Sequence, residues 1–170
     1  MDFSSMLIIV VIFVSPHVGC NTIEDAGCPP SFERRNEECF KLMDLPANWP
    51  EAKLFCRVIG GDLARITKLD LQITIADLVS KNPGRYWIDG SDMLESRKFR
   101  WMRTYGKSVQ FQYTNWHPGE PSSEYENCVE IRNDFNYKWN DLDCIERIGF
   151  ICQARVTIGH EMNFNEEMDR

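Results

Sequence analysis

The chain carries 170 residues, with 19 Lys and Arg against 26 Asp and Glu for a formal charge of −7, and seven cysteines. An acidic chain lacks the basic footprint that a phosphate backbone needs, which excludes nucleic acid as a first partner. Its 43% hydrophobic and 26% charged residues are ordinary globular values for one domain, and they exclude a disordered or fibrous chain.

Residues 7–14 read LIIVVIFV, eight apolar residues in a row. A helical membrane span needs about 20, so this run fits a secretory signal segment, residues 1–20, rather than a crossing. Val18 and Cys20 stand at −3 and −1 of a cut after Cys20. That cut leaves a short segment, 21–27, and six cysteines: Cys28, Cys39, Cys56, Cys128, Cys144 and Cys152. The secretory route is oxidising, so three disulfides are expected, in any of 15 pairings. With no Cys-x-x-Cys and only His117 and His160 beyond the signal, structural zinc or a thioredoxin-like site has no ligand set.

From Cys28 to Leu42, polar residues between two cysteines suggest a tied hairpin. A helix follows, with Asn48 as cap and Glu51 completing a capping box. Ala52, Phe55, Cys56 and Ile59 fall at helical spacing, and Gly60-Gly61 stops the run. Thr67 and Asp70 read as a second box, opening a helix with Leu71, Ile75, Leu78 and Val79 on one side. Asn82-Pro83-Gly84 ends it. Beyond it come short aromatic strands at 86–88, 99–101, 109–113, 128–131 and 150–152. Residues 114–127, TNWHPGEPSSEYEN, form one long loop, of the kind that carries function. A polar tail fills 153–170. No Asn-x-Ser/Thr sequon occurs, so N-glycosylation is not expected.

Two oxygen-rich clusters stand in the second half. Glu120-Pro121-Ser122 and Glu126-Asn127 precede Cys128, and Trp139-Asn140-Asp141 precedes Cys144. Carboxylate, carboxamide and hydroxyl oxygens are what calcium requires, about six to eight of them. A solvated acidic loop ahead of a strand with a core Trp would carry the same residues. Paired carboxylates also serve glycoside hydrolysis, but no Ser-His-Asp set or nucleophile elbow is visible, and an enzyme is not expected.

The ordered motifs WPEAKLFCRVIGGDLARI, WIDG (87–90), NWHPGEPS, ENCVEI, WNDLDC and FIC, with their cysteine spacing, resemble a C-type lectin domain over about residues 28–152. The resemblance implies an α+β fold with two helices, two small antiparallel sheets and a long ligand-binding loop region. It implies the disulfides Cys28–Cys39, Cys56–Cys152 and Cys128–Cys144. It also implies one calcium site, shared with carbohydrate, at Glu120, Ser122, Glu126, Asn140 and Asp141, with Pro121 cis and Trp139 packed beneath. Glu124 is a substitute ligand, because the stretch to Glu126 is short. An auxiliary calcium would use Asp92, Glu95, Glu126 and Asn127. In the family a sugar bridges the ion through two vicinal hydroxyls, each giving a proton to a carboxylate and accepting one from an amide.

The function implied is a secreted, calcium-dependent lectin of innate-immune type, with homo-oligomers or multivalent surfaces supplying avidity. Mannose-type members read Glu-Pro-Asn and galactose-type members Gln-Pro-Asp; Glu120-Pro121-Ser122 keeps the first Glu and loses the amide. That favours mannose-type sugars and sustains an alternative, a lectin-like domain that engages a protein without calcium. His117 reads as a solvated loop histidine, Trp87 and Trp116 as core, and Glu95 as an ordinary loop charge in the absence of the second ion.

Overall fold

The computed structural model describes residues 27–102 and 107–157. The expected signal segment with Cys20, residues 21–26 and most of the expected tail lie outside the described residues.

Strands β1 (Glu33–Arg35) and β2 (Glu38–Ala47) form the hairpin expected at the start, tied by Cys28–Cys39. Helix α1 (Trp49–Val58) opens on the capping box: the Glu51 amide donates to Asn48 Oδ1 at 2.9 Å, and the Asn48 amide donates back to Glu51 Oε2 at 3.2 Å. It stops at Gly60, whose φ of +91° suits glycine, and β3 (Asp62–Leu63) follows.

Helix α2 (Leu69–Lys81) departs from the Thr67–Asp70 expectation. The chain stays extended through Lys68, φ −158°, so Lys68 is the cap residue and no side chain caps this end. Thr67 falls one place too early to reach the first turn, and the Asp70 carbonyl instead accepts from Thr74 Oγ1 at 2.9 Å. The far end matches expectation, at Asn82.

Strands β4 (Arg85–Ser91), β5 (Arg100–Trp101), β6 (Val109–Gln110), β7 (Cys128–Arg132), β8 (Lys138–Leu142) and β9 (Ile148–Arg155) complete the α+β domain. The sixth is shorter than the aromatic run 109–113. The order runs β1-β2-β9-β4-β5-β6, with β3 on β9 and β7–β8 on β4. Every pairing is antiparallel except β4 with β9, and that parallel seam joins the two sheets into one mixed network.

Each helix covers its own core. Ile75, Leu78 and Val79 of α2 meet Tyr86, Ile88, Ile131 and Ile151. Trp49, Ala52 and Cys56 of α1 meet Leu63, Trp87 and Phe150. Full burial of such a side chain stabilises by about 1.5–3 kcal/mol. The indoles also bond where they are buried: Trp49 Nε1 donates to the Ile88 carbonyl and Trp87 Nε1 to the Ala47 carbonyl, both at 2.9 Å. Cys56–Cys152 ties α1 to β9 across 96 residues. In the chain-entropy model a closure that long is worth about 4–5 kcal/mol. Among the described residues no helix is long and apolar enough to cross a membrane.

Candidate metal and carbohydrate site

The site stands on the β7–β8 hairpin. Register places Val129 opposite Asp141 and Glu130 opposite Asn140, and Cys128–Cys144 pins the open end. The long loop is laid against β8 by backbone bonds: the His117 amide donates to the Trp139 carbonyl at 2.8 Å, and the Trp139 amide to the Asn115 carbonyl at 2.9 Å. Trp139 is fully buried beneath the site, edge-on to Trp101, Phe111, Tyr113 and Trp116, with Nε1 donating to Gln72 Oε1 at 2.9 Å. Trp87 is wholly core, and Trp116 is half-buried against the same cluster. A rigid aromatic floor therefore carries a loop that has almost no regular structure of its own.

The peptide bond between Glu120 and Pro121 is cis. The next two amides, Ser122 and Ser123, each donate to one oxygen of Asp141 at 3.2 Å. Asp141 is fully buried, yet among the described residues no Lys or Arg pairs with it. Burial holds its carboxyl above the ordinary range; the two backbone donors oppose that shift and Glu120 adds to it. Glu126 is pushed up too, by burial first and then by Asp141, Glu120, Glu130 and Asp143. One oxygen of Glu120, Oε2, is buried and has no partner. A buried carboxylate oxygen without a donor costs several kcal/mol unless something positive approaches it.

Asn140 is 8% exposed and its amide nitrogen is fully committed. It donates to Glu130 Oε1 at 2.9 Å and to the Asp141 carbonyl. Glu130, fully buried, is itself gripped by Arg85 in a two-pronged pair, Nε to Oε2 at 2.8 Å and a terminal nitrogen to Oε1 at 2.9 Å. Sequence reasoning missed both residues. The available signal was a charged residue inside a strand otherwise read as apolar, Cys128–Ile131.

The auxiliary residues Asp92, Asn127 and Glu95 are engaged with one another or with nearby basic residues. Asp92 Oδ1 accepts from Asn127 Nδ2 at 2.8 Å and Oδ2 from the Arg97 amide at 2.7 Å. Glu95, about half exposed, pairs with Lys98 and Arg100. Glu124 is exposed, unlike the half-buried Glu120 and Glu126. His117 corrects an expectation: it is half-buried and stacks on Phe135 at 4.1 Å between ring centroids, because the loop folds back over β8 instead of standing in water.

Among the described residues no three of His, Cys, Asp and Glu converge closely enough to hold a metal ion as they stand. The donor chemistry nevertheless fits a hard cation. Glu120, Glu126 and Asp141 supply carboxylate oxygens, with Glu120 raising the pKa of both Glu126 and Asp141, Asn140 keeps a carbonyl oxygen, and Ser122 offers a hydroxyl.

Residues 45–154 match the family model described as the lectin C-type domain. A C-type lectin of Cerberus rynchops is 34% identical over 138 residues, covering 76% of this chain and 85% of that protein. The C-type carbohydrate-recognition domain of cow CD23, solved in the presence of GlcNAc2Man3 oligosaccharide, superposes with a TM-score of 0.67 at 27% identity, covering 77% of this chain and 98% of that one. A calcium-independent type II antifreeze protein superposes with a TM-score of 0.66 at 26% identity, covering 75% and 94%. The chain belongs to the C-type lectin family.

Proposed function

We propose that the protein is a secreted lectin that binds carbohydrate through a calcium ion held by Glu120, Ser122, Glu126, Asn140 and Asp141, with mannose-type preference and a role in innate-immune glycan recognition. The observation that carries this is the partnerless buried oxygen of Glu120 beside two carboxylates of raised pKa. Arg132 acts on Glu120 from a distance, but no ion pair among the described residues reaches Glu120, Glu126 or Asp141, and such a group of like charges is arranged for a cation from outside. When bound, the ion neutralises this cluster and coordinates a vicinal hydroxyl pair. Glu120 and Glu126 would accept hydrogen bonds from those hydroxyls, and the floor under Trp139 keeps them in place. Domains of this fold typically bind rather than catalyse. Three disulfides support an extracellular setting.

The deciding measurement is retention on mannose-agarose in calcium. Elution by EDTA and by free mannose is expected; retention in EDTA overturns calcium dependence. A second reading has its own support. With both amide hydrogens of Asn140 engaged and serine at 122, the site has no side-chain amide left to donate to a sugar hydroxyl. That favours a lectin-like domain that engages a protein, as does likeness to a calcium-independent relative. Calorimetry with calcium separates the two, since absence of a binding isotherm from a folded domain favours the second.

A further inference from the structure

We propose that Glu130, held by Arg85, is the positioning residue of this site: it fixes the Asn140 amide so that the carbonyl oxygen serves a cation and the amide hydrogens are withheld from a sugar. This rests on the calcium reading above for its ligand and on the hydrogen bonds alone for its geometry. Glu130 lies directly opposite Asn140 across the β7–β8 pair, with Trp87 of β4 opposite it on the other side. The strand alternates, so Val129 and Ile131 enter the apolar core while Cys128, Glu130 and Arg132 share the other face.

A fully buried carboxylate at that position is costly, and replacing a buried ion pair by apolar residues is often neutral or stabilising. Its retention therefore calls for a task, and its contacts name one. Arg85 takes both carboxylate oxygens, while Arg132 stands 3.8 Å from Oε1. Oε1 also accepts from Asn140 Nδ2 at 2.9 Å. The second amide hydrogen goes to the Asp141 carbonyl. Both partners can only accept, so the amide cannot turn round: an Oδ1 in the place of Nδ2 would face two acceptors. The amide is thus set before any ligand arrives. The chemical class taken is a vicinal diol whose two hydroxyls both donate, to Glu120 and Glu126, with the Ser122 hydroxyl as the one small side-chain donor left.

The test compares calcium affinity by calorimetry in Glu130→Leu, Glu130→Gln and Ile75→Ala. Glu130→Leu is expected to weaken calcium by about 10–100-fold, the usual effect of removing an outer-shell partner. Glu130→Gln keeps an oxygen for Asn140 and Arg85 and should stay close to the native affinity. Ile75→Ala cavitates the core under α2, away from the site, and should lose stability without losing calcium. Should Glu130→Leu fail to fold, the double variant Arg85→Met with Glu130→Leu removes the pair together. Unchanged calcium affinity on losing Glu130, or an equal loss in Ile75→Ala, overturns the proposal. A readout independent of calcium is hydrogen exchange at the Asn140 side-chain amide, seen by NMR in EDTA. It should be slow in the native chain and in Glu130→Gln, and fast once Glu130 is gone. If the native chain takes up no calcium, the calcium reading fails, and this exchange still decides the positioning role: equal rates with and without Glu130 overturn it.

Discussion

Two buried acidic clusters in this domain are solved in opposite ways. Under α1, Asp89 is fully buried and Lys53 reaches it at 2.5 Å while also pairing with Asp62 at 2.7 Å. Under the long loop, Asp141 is as deeply buried, and its neighbours are Glu120 and Glu126, with no Lys or Arg ion-paired to any of the three among the described residues. Burial raises the carboxyl in both places, and in the first Lys53 pulls against it. The difference separates charge paired within the fold from charge that, on the reading proposed above, is kept for a ligand. The first cluster has a lysine paired to it within the chain, although Asp89 Oδ2, like Glu120 Oε2, is buried without a hydrogen-bond partner; the second has no such ion pair among the described residues.

The largest effect should come from breaking the lysine-paired cluster. Lys53→Met strands Asp89 beside Asp62 and should cost about 3–5 kcal/mol, read as a lower denaturation midpoint in urea. A loss below about 1 kcal/mol would mean that the pair was not compensating its own burial. The reverse is expected at the loop. Glu126→Gln removes a like charge, so the calcium-free domain should hold its stability or gain a few tenths of a kcal/mol. Calcium affinity should fall by at least about 10-fold; a calcium-free domain weakened as much as Lys53→Met would erase the contrast.

Acidity offers a finer test. Glu126 and Asp141 keep their protons to higher pH than ordinary carboxylates. Calcium must displace those protons, so its affinity should drop between pH 7 and pH 5. Without calcium the sign reverses: a raised folded-state pKa means that the folded state binds protons more tightly, so this stabilising contribution is present in acid and lost as pH rises through that range. The rise in melting temperature on adding calcium should therefore shrink at pH 5, and an equal rise at both pH values would count against the site. The smallest effect is expected from Ser122→Asn, which restores an amide donor next to Pro121. Longer retention on mannose-agarose, with a lower EDTA-free off-rate, is the expected outcome, and no change would locate the missing donor at Asn140 instead.

Much of this was legible in the chain itself. The Asn48–Glu51 box, the Gly60 stop, Ile75 and Val79 on the inner side of α2, and the three disulfides follow from local spacing or from the motif resemblance. The cis bond before Pro121, with Trp139 beneath, matched the resemblance as well. Local signals failed where the backbone path or a neighbour far along the chain decided the outcome. Thr67 has the chemistry of a cap, but extension through Lys68 moved the helix start past it. His117 lies in a polar stretch, yet Phe135, 18 positions on, gives it a ring to lie on. Lys53 with Asp89, and Arg85 with Glu130, are pairs across 36 and 45 positions, and nothing in the composition marks them.

By itself, then, the sequence determined which oxygen-bearing residues exist, where the helices begin to be affordable and which cysteines are available to bridge. Those properties depend on neighbours three or four places apart, or on motif order. Tertiary structure decided which charges are compensated. Coulomb energy and desolvation depend on distance and depth: the β7–β8 register brings Glu130 to Asn140, and the long loop sets Glu120 and Glu126 near Asp141.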